Sequence, residues 1–376
     1  MPLKKTFRQL SLSALLLLTL VGCQLQDTVV GDRNETPNNK RITVIENPER
    51  TTYEESVVDA LVRLDDVRGL DWLDEEEIIV DKENRDFGTP EKADGLDWYP
   101  HNIYVQSLES GVQTPLLQAN EHQGYAQVNP DRTQIFYKTF FLQSNTGKGY
   151  LYDIPSRKAQ SFTDIDAMDV QNGRWVDNES VVYATIDGKI YLASMGSSAP
   201  RLLLDSQIPF VTNLAYMNGR LYYSSLKGSL YVKESEEKPQ ILPISNVVWM
   251  VPSPDEQRLA IVRRIKSGDM ELLITDLKGE TLFAIAQDSQ IFGTAWSPDG
   301  NKLAYAGITS NGTARGIYVS NSSTGLSAPL TVDVKFIADP LRWSPTGTRL
   351  MVSSTQPDDQ SRLNRYVTYL VRVSGS

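Results

Sequence analysis

The chain has 376 residues, with 37 Lys and Arg against 47 Asp and Glu, a formal net charge of −10. That balance argues against a nucleic-acid partner, which calls for a basic face that displaces counterions from phosphates. One cysteine, Cys23, excludes an internal disulfide and a cysteine-ligated zinc site, and only His101 and His122 are available for histidine chemistry.

The first 22 residues have the three parts of an export signal. Lys4, Lys5 and Arg8 supply a positive start, and Leu10 to Leu20 is an apolar run. The run is shorter than the ~20 residues that span a bilayer as a helix, and it suits a signal peptide. Leu20-Val21-Gly22-Cys23 follows and resembles the lipobox of bacterial lipoproteins. The resemblance implies cleavage before Cys23, acylation of its thiol and a lipid anchor on the outer face of the cell membrane. More than one acyl chain would hold the protein there stably. Loss of residues 1–22 removes three cations and no acid, taking the formal charge from −10 to −13. Residues 23–40 are polar and read as a flexible tether.

Residues 41–376 read as one all-β domain. Arg41–Glu46 alternates like a strand. Thr52-Tyr53-Glu54-Glu55 has the pattern of a helix cap, and Val57, Val58, Leu61 and Val62 follow at helical spacing, which predicts a short N-terminal helix. A repeated unit then begins. Its clearest copies are Ala295-Trp296-Ser297-Pro298-Asp299-Gly300, Arg342-Trp343-Ser344-Pro345-Thr346-Gly347 and Val251-Pro252-Ser253-Pro254-Asp255, with Asn129-Pro130-Asp131 as a fourth. Degenerate copies lie at Trp72, Trp175 and Tyr216. Ser-Pro-Asp-Gly suits a type I turn, and the flanking apolar alternation makes each copy a hairpin. Two further strand-like runs follow each hairpin, giving four-stranded blades at a period of roughly 36–55 residues, the signature of a β-propeller. Seven turns near residues 74, 130, 177, 218, 254, 298 and 345 predict seven blades. The last unit supplies only three strands, and an N-terminal strand, Arg41–Glu46, is expected to complete it and remove a free edge.

The tryptophan-Ser-Pro-Asp-Gly hairpins resemble those of TolB-like propellers, and with the lipobox and acidity the whole chain resembles YqgU-type bacterial lipoproteins. The TolB resemblance implies six blades against the seven counted.

The sequence has no nucleophile elbow, P-loop, zinc-protease helix or EF-hand loop, so no catalytic residue, metal or cofactor is expected. Ser297 and Ser344 read as turn residues. The acidic clusters Asp65-Asp66, Asp71 to Glu77 and Asp164 to Asp166 read as solvated turns rather than calcium ligands. Trp72, Trp175, Trp249, Trp296 and Trp343 read as core. Loops between second and third strands are long in units six, seven, one and two and short in units three and four. Rigid scaffolds use such loops for binding. Phe87, Trp98, Tyr99, His101, Phe140 and Phe141 are therefore candidate partner-binding residues, since aromatics dominate hot spots. The reading favoured is a non-enzymatic scaffold for an envelope protein. The alternatives are a hydrolase or lyase, or a ligand sensor, working from the central channel.

Overall fold

Apolar residues alternate in short runs separated by Pro, Gly and Asp turns, so each run can bury one face only by packing against another sheet. The computed structural model describes residues 57–87, 90–93, 96–140, 146–163, 168–234, 236–309, 315–330, 337, 339–357 and 364–374. Seven antiparallel sheets follow one another along the chain. Blades 1 to 6 span 68–117, 122–161, 174–205, 214–241, 247–288 and 290–330. Blade 7 combines Arg342–Trp343, Arg349–Pro357 and Asn364–Ser374 with the outer strand Val57–Asp65. Neighbouring blades touch in order, and the inner strand of blade 1 meets blade 7, closing the ring. The count is seven, not six.

The ring is closed by an N-terminal strand, but a different one from that expected. Val57–Asp65 pairs with the last strand, with Leu61 opposite Val371 and Asp65 opposite Val367. This corrects the expected helix, and no helix occurs among the described residues. An outermost strand has little to bury, and Leu61 and Val62 are 49% and 50% exposed. Its alternation is therefore faint, and cross-strand pairing overrides the helix-like spacing. Arg41–Glu46 and Thr52–Glu55 lie outside the described residues.

The apolar core is divided among the seven junctions between blades. One cluster joins Ile79 and Ile103 of blade 1 to Ile135 and Tyr137 of blade 2. Another joins Trp72 and Val80 of blade 1 to Met351 and Leu370 of blade 7. Four tryptophans add a directional lock at these junctions. The indole N–H groups of Trp72, Trp175, Trp296 and Trp343 donate to the carbonyls of Arg342, Gln127, Val251 and Ala295, at 3.0, 2.9, 3.1 and 3.0 Å. Each acceptor lies on the inner strand of the preceding blade. At the closing junction Glu75 of blade 1 accepts from Arg349 Nη2 at 2.7 Å and from the Thr346 N–H at 2.8 Å.

The Ser-Pro turns form as expected. Gly300 N–H donates to Ser297 O at 2.9 Å, and Ser297 Oγ lies 2.5 Å from Asp299 and accepts from Lys302 N–H at 2.9 Å. Ser344 Oγ accepts from Arg349 N–H at 3.1 Å. Both serines are buried and bonded within their own turns.

Candidate functional site

The long loops fall as the sequence predicts. Second and third strands are separated by Glu83 to His101, Phe140 to Thr146, Ile308 to Arg315 and Pro357 to Asn364 in blades 1, 2, 6 and 7, but only by Ala184 to Lys189 in blade 3. The excursion in blade 1 contains its own two-stranded ribbon, Glu91–Ala93 paired with Leu96–Trp98. Phe87, Trp98 and Tyr99 are half-buried, and the Arg85 guanidinium covers the Tyr99 ring at 5.3 Å. Phe140 packs inward, stacked on His122 at 5.8 Å and edge-on to Tyr125 at 5.4 Å. Phe141 lies outside the described residues, as do Asp164 to Asp166 and Cys23.

The two histidines belong to different repeats, but those repeats are consecutive blades that pack side by side. His101 and His122 are stacked with centroids 6.2 Å apart, and His101 N–H donates to His122 Nδ1 at 3.3 Å. Glu91 of the ribbon reaches His122 Nε2 at 3.8 Å. Burial, and next the neighbouring His101, lowers the His122 pKa to about 4, so the ring is neutral at neutral pH. His101 Nδ1 lies 2.9 Å from Asp81 Oδ1.

Beside this pair, at the mouth of the channel, Arg68 is the hub. Its Nε and Nη2 bond the two carboxylate oxygens of Asp339 at 2.7 and 2.5 Å, and Nη1 lies 3.6 Å from Asp81. Tyr125 and Tyr366 sandwich it at 4.9 and 5.2 Å. Burial opposes the guanidinium charge, but Asp339 and then Asp81 outweigh it and raise its pKa well above the ordinary value. Tyr125 has φ +53° at the bulge between Gly124 and Gln127, a conformation uncommon outside glycine that marks a position fixed by its surroundings. Among the described residues no three His, Cys, Asp or Glu side chains are grouped to hold a metal ion.

Below the mouth the channel changes character. An upper cavity of about 290 Å³ is lined by Arg68, Tyr125, Lys138, Phe292 and Asp339 among others. A lower cavity of about 410 Å³ is lined by Arg174, Asn172, Asn213 and Thr294 among others. Gln127, Gln171, Trp249, Pro340 and Arg342 line both and form the waist. Lys138 is 1% exposed; its ammonium donates one long 3.4 Å hydrogen bond to the Tyr125 carbonyl and lies 4.0 Å from the centre of the Phe136 ring. Burial, and next the nearby Arg342, lowers its pKa to about 7. Burial and Arg342 likewise lower Arg174 to about 10. Arg174 Nη1, Arg342 Nε and Trp249 Nε1 are buried without a hydrogen-bond partner.

Trp249 packs against the apolar cluster between blades 5 and 6, but it sits three residues before the position equivalent to Trp296, its indole N–H makes no lock to the preceding blade, and its ring also lines both cavities. The sequence carries one sign of the channel cations: Arg174 and Arg342 each immediately precede the tryptophan of their inner strand.

No protein-family model and no curated protein sequence matches the chain. Solved structures do. An oligogalacturonate lyase from Vibrio parahaemolyticus is similar with a TM-score of 0.60 at 11% identity, over 85% of this chain and 99% of that one. The C-terminal WD40 domain of Sif2 is similar with a TM-score of 0.53 at 16% identity, over 86% and 100%. A TolB from Acinetobacter baumannii is similar with a TM-score of 0.46 at 14% identity, over 80% and 65%. At such identities the lyase and the WD40 domain share the fold of this chain, an all-β propeller, which the seven ordered blades establish independently.

Proposed function

We propose that this protein is a non-catalytic binding module, carried on the outer face of a cell membrane by lipid on Cys23, whose loop-crowned face docks an envelope protein. The reading rests on one arrangement: the long loops of blades 6, 7, 1 and 2 are consecutive around the ring and surround a mouth whose acids are already engaged. Asp81 faces His101 and Arg68, and Asp339 is taken up bidentately by Arg68. General acid–base work needs a carboxylate or imidazole free to exchange a proton with substrate, whereas a docking face needs groups held in place. The half-buried Phe87, Trp98 and Tyr99 on the blade 1 excursion are the anchors. The ribbon that carries Trp98 lies beside blade 2, with Glu91 3.8 Å from the His122 ring.

Two experiments test this. In cells, Cys23→Ser should move the protein from the membrane fraction to the soluble extracytoplasmic fraction. Retention in the membrane would remove the lipid from the proposal. Crosslinking on intact cells should give a protein adduct that is lost when Arg85–Asp97 is deleted, with thermal unfolding unchanged. An adduct that survives the deletion would rule out this face.

A further inference from the structure

We propose that the waist of the central channel binds a small, multiply charged anion carrying carboxylate or phosphate groups, held by Lys138, Arg174 and Arg342 against the ring of Trp249. The starting point is a mismatch of charge. The chain carries ten more acids than bases, yet its axis collects cations. No acid among the described residues pairs with these three. Lys138 has one long bond to a backbone carbonyl, and Arg174 and Arg342 each bury an unpartnered N–H group. An uncompensated buried cation is costly unless something neutralises it. The same channel shows what compensation by charge looks like: Arg68 has two acids, Asp81 and Asp339, whereas Lys138 has aromatic rings beside it and no paired acid.

The three cations act on one region. Arg342 lines both cavities, and its charge is felt at Lys138 above and at Arg174 below. Cavities of about 290 and 410 Å³ meeting at that residue match the size of small-molecule sites, ~300–1,000 Å³. A narrow cleft lined by one sign of charge concentrates the opposite ion. An arginine offers a planar fork to carboxylate or phosphate, and Trp249 and Phe292 supply apolar walls that exclude water. At the mouth above, Arg68 is outnumbered by the two carboxylates of Asp81 and Asp339, so the net positive charge of the channel lies below it at the waist. This site is separate from the loop-crowned face, and each stands or falls alone.

The test uses the purified full chain in detergent at low salt, titrated calorimetrically with citrate, pyrophosphate and uncharged maltose. One-to-one binding of an anion but not of maltose is expected. Arg342→Gln and Arg174→Gln should each weaken it at least tenfold, whereas Arg264→Gln on the exposed surface should not. Citrate alone identifies carboxylate chemistry, pyrophosphate alone phosphate chemistry, and both together recognition by charge. Absence of binding by either anion would overturn the proposal, as would unchanged affinity in Arg342→Gln or equal binding of maltose. Neither glutamine variant breaks an ion pair among the described residues, so both should unfold no lower than the wild type, and wild-type titration alone is decisive if one does.

Discussion

At the scale of single residues, the channel contains two kinds of buried cation with opposite consequences. Arg68 is paired, so Arg68→Met strands Asp81 and Asp339 without their counter-charge. Breaking a buried pair in this way costs about 3–5 kcal/mol, and urea unfolding should show a loss of that size. Arg68→Lys should recover only part of it, because an ammonium cannot make the bidentate contact. Lys138 is the reverse case. Lys138→Met removes an ammonium with no acid beside it and should stabilise the fold by about 1–3 kcal/mol. Its pH dependence has a definite sign. The unfolded lysine keeps its proton up to about 10.5, while the folded one releases it near 7. Stability should therefore rise between pH 7 and 10.5 in the wild type, and this rise should be missing in Lys138→Met. If the variant is less stable at pH 7, the cost assigned to Lys138 is wrong. His122 acts in the acid range. With a folded pKa of about 4 against an ordinary 6.5, stability should fall as pH drops from 6.5 toward 4, where only the unfolded chain gains the proton. His122→Asn, with an oxygen where Nδ1 accepts from His101 N–H, should lose less stability between pH 7 and 5.

Among elements, the outer strand Val57–Asp65 matters most, because it joins the two ends of the chain. Eight of its nine residues pair along the last strand, from Val57 opposite Ser374 to Asp65 opposite Val367, with a bulge at Asp59. A chain beginning at residue 66 would leave that strand as a free edge, which invites pairing between molecules. It should aggregate on gel filtration and unfold at a lower temperature than a chain beginning at residue 50. Equal midpoints and a monomeric elution for both would show that the strand is dispensable. This strand also marks where sequence patterns stop carrying information. Hairpins are legible because a turn is a local event: Pro298 fixes one angle and Gly300, at φ +71°, takes another. Val57, Val58, Leu61 and Val62 have no local turn to declare them, and their partner lies some three hundred residues away. The channel was illegible for a related reason. His101 and His122 come together only when consecutive blades pack, Arg174 and Arg342 line one cavity only once the ring is closed, and the four locking tryptophans made Trp249 look like a fifth.

For the whole molecule, the decisive fact is that no blade has a core of its own. Each apolar cluster is shared by two neighbouring blades, from Leu70 and Ala126 at one junction to Leu350 and Ala304 at another. An open array of such units can fray from its ends, but a ring with Glu75 bound to Arg349 and Trp72 bound to Arg342 has no free end. Removing any blade exposes two apolar faces, so partial unfolding is penalised twice. The ring should therefore unfold in one transition. Tryptophans stand in blades 1, 3, 5, 6 and 7, so indole fluorescence reports nearly the whole circumference, while far-ultraviolet circular dichroism reports every strand. The two curves in urea should coincide. With one cysteine in the chain, both should be unmoved by reductant. A fluorescence transition that precedes loss of strand signal would mean that the blades separate before they unfold, and that the shared clusters are too weak to couple them.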